Sequence, residues 1–160
     1  MDINLKSFLM RRPQAVANIK GSMEHPQIKG EVYFYQFDDG VIVVADVSGL
    51  PSPHEKCKSP VFGFHIHEGE RCSGNSDDPF ADTLGHFNPS GCNHPYHAGD
   101  LPPLFGNKGN AFMAVFTDRF SVREIIGKTV VIHSDPDDFK TQPSGNSGRK
   151  IACGKITGRK

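Results

Sequence analysis

The stretch HFNPSGCNHPYHAGD, residues 86–100, constrains the chain more than any other part of it. Three histidines and an aspartate sit there among turn-forming residues with almost nothing to bury, so something other than a hydrophobic core must order them. The stretch ends a longer segment, residues 69–100, that carries neither a strand nor a helix signal. A structureless connection of that length inside a compact domain is usually functional. Whatever this chain folds into must hold that loop against a scaffold built from the rest.

The rest is legible as strands. At 160 residues the chain can bury one continuous core, which predicts one domain, residues 15–160, behind a loosely held amino-terminal arm, residues 1–14, with Lys6, Arg11 and Arg12. β-Branched and aromatic runs between turn formers predict strands at 15–23, 30–37, 40–47, 62–68, 110–117, 128–134 and 150–156. YFYQF-DDG-VIVV predicts a hairpin with Asp-Gly at its tip, and LFGNKGNAFM another with a glycine-containing turn. Only SVREIIG, residues 121–127, has a brief helical character. Short strands separated by Gly and Pro predict an all-β, antiparallel sandwich or barrel whose interior is lined by alternate residues.

Charge and targeting signals exclude several classes. Eighteen basic and 18 acidic residues leave no whole-molecule attraction to nucleic acid or to an anionic membrane, so neither is expected as a partner. No apolar run reaches 18 residues, and MDINLKSFLMRRPQAVANIKG lacks the apolar core and small-residue cleavage site of a signal peptide. A cytoplasmic location is therefore expected, with an exported, periplasmic-type one as the alternative if the cysteines are oxidised. Those cysteines, Cys57, Cys72, Cys92 and Cys153, contain no Cys-x-x-Cys pair. This argues against a zinc ribbon or a thioredoxin-type site and leaves three two-bridge pairings open.

The eight histidines are His25, His54, His65, His67, His86, His94, His97 and His133. His65 and His67, in GFHIHEGE, are two apart in a predicted strand and so share a face, where two imidazoles can share a metal. Half-exposed polar strand positions are the alternative. His133 ends the apolar run KTVVIHS, where a lone histidine is more often a hydrogen-bonded core or rim residue than a ligand. His86, His94, His97 and Asp100 offer three nitrogens and one oxygen, the donor set of a closed tetrahedral zinc site, against the alternative of a polar loop marked by turns. One zinc site leaves His65, His67 and His133 over, and nitrogen-rich tetragonal geometry is what copper(II) prefers. A histidine shared between the two sets would complete four copper donors as an imidazolate held between two cations, and reduction of the copper would let that bridge pick up a proton.

At this point the chain closely resembles the Cu/Zn superoxide dismutase family, in its bacterial-type branch. GFHIHEGE, GHFNPSGCNHPYHAGDLP, IIGKTVVIHSDPDDF and PSGNSGRKIACGKI look like the family's four signatures in order, and they cover most of the chain from about residue 15. His97-Ala-Gly-Asp100 has the family's His-x-Gly-Asp form, and the His94 to His97 spacing is shorter than in the eukaryotic enzymes. The resemblance implies an eight-stranded Greek-key β-barrel, one strand more than the seven read above, and the extra one is expected near Leu101 to Phe105. It implies copper at His65, His67, His86 and His133, zinc at His86, His94, His97 and Asp100, one ion of each per chain, and no organic cofactor. The implied reaction is dismutation of superoxide to dioxygen and hydrogen peroxide, with the protein holding an accessible copper, tuning its potential and drawing in a small anion.

The resemblance also assigns residues around the metals. Asp137 matches the carboxylate that hydrogen-bonds one copper and one zinc histidine, here His65 and His94, with an acidic turn as the alternative reading of SDPDD. The family's anion-guiding arginine aligns with Lys150, and Arg149 stands next to it. Lysine is a mobile point charge where arginine is a planar fork, so guidance is expected from Lys150, with Arg149 as the alternative. Cys72 and Cys153 match the family's disulfide, which would tether the metal loop, while Cys57 and Cys92 are extra and either pair with each other or are buried thiols. His25 and His54 match no ligand position. A non-catalytic zinc- or copper-binding protein of the same fold is the nearest rival, although such members usually lack one or more copper histidines. A zinc hydrolase would continue HIHEGE with an Asp-His pair, which is absent. A homodimer is left open.

Overall fold

Burying one face of each alternating run against the others curls the chain into an antiparallel sheet. The computed structural model describes residues 10–52 and 60–159. Its strands are β1 (Ala15–Gly21), β2 (Lys29–Phe37), β3 (Gly40–Ser48), β4 (Val61–Phe62), β5 (Phe64–His67), β6 (Leu104–Phe105), β7 (Asn110–Thr117), β8 (Thr129–His133) and β9 (Lys150–Gly158), with a short helix, α1 (Val122–Ile125). Seven strands pair antiparallel in the order β5-β8-β9-β1-β2-β3-β7, and β4 pairs with β6. β4 runs through Gly63 into one edge strand, β5, and β6 turns into the other, β7. The β4–β6 pair therefore joins the two edges, and the sheet closes on itself as a barrel.

The strand expected near Leu101 to Phe105 is β6, and β4 with β5 is the single run expected at 62–68, interrupted at Gly63. The interruption has a cause: a Cβ at Gly63 would lie 2.7 Å from the Cβ of Ser147. The backbone bonds it makes there run to the end of β8 and just past it, with Gly63 N–H donating to Asp135 O at 2.8 Å and His133 N–H to Gly63 O at 2.8 Å. β2 and β3 form the hairpin read from the sequence, turning between Phe37 and Gly40. β6 reaches β7 through Lys108 and Gly109, both at positive φ (50° and 80°), the backbone of a type I′ turn between Asn107 and Asn110. α1 is entered by a capping box between Ser121 and Glu124.

The alternation that fills the barrel also creates the site. Phe64, Ile66, Val130 and Ile132 of β5 and β8 enter the main core with Phe34, Phe62, Leu104 and Ile125. His65, His67, Val131 and His133 point to the opposite face, yet they too are buried, because the long loop covers them. Phe80 packs with Val131 and Cys153 as a second small cluster under that cover. A disulfide joins Cys72 to Cys153 across 81 residues, Cα–Cα 5.6 Å, fastening the loop to β9. Cys92 is an exposed free thiol, which corrects the expectation of a buried or paired one, and Cys57 and His54 lie outside the described residues. Of the amino-terminal arm, residues 1–9 also lie outside them, while Gln14 N–H bonds Phe34 O of β2 at 2.9 Å. No helix among the described residues is long and apolar enough to cross a membrane.

Candidate metal centre

The metal loop is ordered first by β5, whose edge it borders. Phe87 N–H bonds Ile66 O at 2.8 Å, Ile66 N–H bonds Gly99 O at 2.9 Å, and Gly99 N–H bonds Phe87 O at 2.9 Å. Bridges His67–His86 and His65–Asp100 extend the pattern. The two ends of the 86–100 stretch thus lie along one strand edge, which brings His86 and Asp100 beside His65 and His67. Gly99 is required by this approach, since a Cβ there would lie 2.2 Å from Ile66 O. Phe87 and Leu101 enter the main core, so the stretch buries more than its composition suggested.

Two donor sets result, one of His65, His67, His86 and His133, the other of His86, His94, His97 and Asp100, each with its donor atoms within 4.8 Å of one another and all four residues buried. In the second set His86 Nδ1 lies 2.7 Å from Asp100 Oδ1, while His94 Nδ1 and His97 Nδ1 lie 3.1 and 3.2 Å from Asp100 Oδ2. His86 Nδ1 and His97 Nδ1 are 3.4 Å apart. A tetrahedron with zinc-ligand arms has edges of about 3.3–3.4 Å, and these spans cluster near that length. In the first set His67 Nε2 and His133 Nε2 are 3.2 Å apart, and the His65 and His86 rings stack at 4.0 Å between centroids.

The outward nitrogens of His65, His67, His94 and His133 are engaged. His65 Nε2 and His94 Nε2 donate to the two oxygens of Asp137 at 2.8 and 2.9 Å. His67 Nδ1 donates to Leu84 O at 2.8 Å and His133 Nδ1 to Gly148 O at 3.3 Å. Fixing the outward proton leaves the inward nitrogen of each ring as a lone pair. His86 is different, because both of its nitrogens face donor sets. His65 Nδ1, His86 Nε2 and His94 Nδ1 are buried with no hydrogen-bond partner; His94 Nδ1, though near Asp100, is not aligned to bond it. An unpaired buried polar atom costs about 1–3 kcal/mol, and such atoms stand in both donor sets, His65 Nδ1 and His86 Nε2 in the first and His94 Nδ1 in the second, where a cation in each would satisfy them.

Electrostatics agree with neutral imidazoles and ionised carboxylates. Burial pushes His65 down to about 4 against the pull of Asp137, and pushes His133 down to about 3. Burial, then the neighbouring His133 and His86, hold His67 well below the usual histidine range. Burial alone would raise Asp100 and Asp137, but hydrogen bonds from His86 to the first, and from His65, the Phe139 N–H and His94 to the second, hold both carboxyls below their ordinary values.

The two candidate guides sit differently. Lys150 opens β9 opposite His133, and its Nζ lies 2.7 Å from Asp78 Oδ2. Arg149 is largely exposed and pairs with Glu24 at 3.1 Å. His25 is half-buried and belongs to neither donor set.

Several supporting groups carry no sequence signal. Leu84 takes a φ of 60°, sparsely populated for a side-chain-bearing residue, and its carbonyl is the one His67 uses. Gln142 clamps His94 from both sides, accepting from its N–H at 2.9 Å and donating to its carbonyl at 2.7 Å. Arg119 reaches from the end of β7 to the carbonyls of Pro95, His97 and Asp100 at 3.1, 3.4 and 3.3 Å. Gly145, at φ 69°, packs against the Asp137–His94 bond so closely that a Cβ would lie 2.0 Å from Asp137 Oδ1.

A closed antiparallel β-barrel carrying two buried donor sets that share one imidazole defines a bimetallic β-barrel protein. The family model for copper/zinc superoxide dismutase matches residues 28–156, and the chain belongs to that family. Copper and zinc are the metals this membership assigns, and the two donor sets fit them. The chain is similar to Cu-Zn superoxide dismutase 2 of Aquifex aeolicus, 34% identical over 145 residues, covering 81% of this chain and 80% of that protein. It is 33% identical to the Cu-Zn superoxide dismutase of Deinococcus radiodurans, over 80% of this chain and 76% of the other. Among solved structures, a double mutant of a SOD-like protein from Bacillus subtilis matches with a TM-score of 0.72 at 28% identity, over 89% of this chain and 97% of that one.

Proposed function

We propose that this chain is a superoxide dismutase, with copper held by His65, His67, His86 and His133 and zinc by His86, His94, His97 and Asp100. The observation that carries the reading is His86, whose Nδ1 faces the carboxylate-containing set while its Nε2 is buried and unbonded within reach of the all-histidine set. Copper, when bound, supplies a one-electron acceptor and donor, so that one superoxide is oxidised to dioxygen and a second is reduced to the peroxide level. His86 Nε2 is the atom that takes up a proton and gives it to the reduced anion, while Nδ1 stays engaged on its other side. Asp137, Leu84 O and Gly148 O fix which nitrogens of His65, His94, His67 and His133 face inward. Lys150, whose charge is felt at His133, draws the anion in, with Arg149 as the alternative guide.

Metal analysis combined with a superoxide-scavenging assay tests this directly. One copper and one zinc per chain, with activity lost on metal removal, is the expected result. The same metal content without scavenging would refute the dismutase and leave a non-catalytic metal-binding protein of the same fold. For guidance, Lys150→Ala should lower the rate and flatten its dependence on ionic strength. If Lys150→Ala changes neither and Arg149→Ala lowers both, the guide is Arg149.

A further inference from the structure

Lys150 is not a free cation. Besides the 2.7 Å contact with Asp78 Oδ2, its Nζ donates to Phe80 O at 3.1 Å, and its side chain is 15% exposed. Asp78 is itself held: its Oδ1 accepts from Phe80 N–H at 2.9 Å, its own N–H donates to Asn75 Oδ1 at 3.0 Å, and its carbonyl accepts from Asn75 N–H and Ala81 N–H at 2.9 and 3.1 Å. The same loop is fastened by Cys72 to Cys153 of β9, the strand that Lys150 opens. A cleft of about 200 Å³, lined by Asp77, Asp78, Pro79, Gly148, Arg149 and Lys150, opens over the pair. Lys150 faces His133 across the β8–β9 ladder, so the pair sits at the rim of the all-histidine donor set.

We propose that Asp78 is a positioning residue that latches Lys150 in place and sets how strongly the cleft takes up a small anion. This rests on the reading of Lys150 as the anion guide. The carboxylate fixes Nζ at one point and cancels much of its charge as seen from the cleft, so an incoming anion meets an ion pair rather than a bare ammonium. Asn in place of Asp78 keeps an amide oxygen to accept from Phe80 N–H or Lys150 and removes the negative charge. One unit charge at a separation on the order of 10 Å, through a medium between water and protein surface, changes anion binding roughly two- to fourfold.

Azide is a suitable probe, because it is a small monovalent anion whose binding to copper(II) is read from absorption. In the metal-loaded protein, Asp78→Asn should bind azide roughly two- to fourfold more tightly and show a steeper ionic-strength dependence of the superoxide rate. Lys150→Gln should weaken azide binding, and Asp78→Glu, which restores the charge, should return it towards the parent value. In the metal-free protein, acetylation of Lys150 by an N-hydroxysuccinimide ester, followed by peptide mass, should be several-fold faster in Asp78→Asn than in the parent. Parent-like azide binding by Asp78→Asn, alongside weakened binding by Lys150→Gln, overturns the latch and leaves guidance by Lys150 standing. Azide binding unaffected by Lys150→Gln removes both together. If Asp78→Glu behaves like Asp78→Asn, the side chain matters for loop shape rather than charge, and the proposal fails.

Discussion

Replacing Asp137 by alanine separates the two metals by how rigidly their ligands are held. Asp137 Oδ1 accepts from His94 Nε2 at 2.9 Å and from Phe139 N–H at 2.7 Å, and Oδ2 accepts from His65 Nε2 at 2.8 Å. A hydrogen bond to a charged group contributes about 1.5–3 kcal/mol, which corresponds to roughly 10- to 100-fold in an equilibrium constant. The two rings do not depend on it equally. His65 is fixed by its place on β5 and stacks on His86, whereas His94 lies outside every strand and is steered by Asp137 and by the Gln142 clamp on its backbone. Asp137→Ala should therefore weaken zinc binding by roughly 10- to 100-fold and copper binding by less. Competition titrations of the metal-free protein against a chromophoric chelator, one metal at a time, give both constants. A zinc constant within about threefold of the parent's would show that the carboxylate does not orient its ligand. A larger loss for copper than for zinc would overturn the rigidity argument.

Three further outcomes follow from the same geometry. Cys72→Ser opens a disulfide that spans 81 residues, for which chain-entropy reasoning gives a loss of about 4–5 kcal/mol; a urea midpoint close to the parent's under non-reducing conditions would contradict it. The metal-free protein should lose stability as pH falls from about 6.5 towards 4. His65 and His133 are pushed down to about 4 and about 3 in the folded chain, and His67 is held low beside them. The unfolded imidazoles titrate near 6.5, so below that pH the unfolded state binds protons the folded state refuses, at up to about 1.4 kcal/mol per pH unit for each histidine. The depressed carboxyls Asp100 and Asp137 add to the loss only below about pH 4, and urea midpoints that do not move between pH 7 and 5 would rule the effect out. Gly99→Ala places a Cβ 2.2 Å from Ile66 O and should push the loop off β5, lowering zinc occupancy while far-ultraviolet circular dichroism keeps its β signal; normal zinc content would show that the loop accommodates it.

The barrel was legible because each strand advertises its inward face: Phe64, Ile66, Val130 and Ile132 alternate with His65, His67, Val131 and His133, which face the covering loop. The break at Gly63 was not, because its cause is Ser147, a residue distant in sequence that packs against the strand. The donor sets were legible because imidazole and carboxylate side chains are scarce enough for their spacing to carry chemistry. The groups that aim those side chains were much less so. Leu84 and Gly148 act through backbone carbonyls, which every residue possesses, and what distinguishes them is a conformation no composition reveals. Asp137 could be placed through family likeness, whereas Asp78 looked like one acid among several in a polar loop, and only its contact with Lys150 sets it apart. Phe87 was hidden by its polar neighbours, though its burial is what anchors the start of the metal loop.

The way residues 86–100 lie on β5 reaches beyond catalysis. β5 ends the seven-strand ladder, and an end strand presents amide and carbonyl groups to which a foreign chain can add. Here Phe87 and Gly99 occupy those groups on Ile66, and the bridges from His86 and Asp100 cover its neighbours. The metal-binding loop is thus also a stopper, and the ligands that keep it seated guard a seam in the barrel wall. Left uncovered, such an edge would be a place where a second copy could begin to stack.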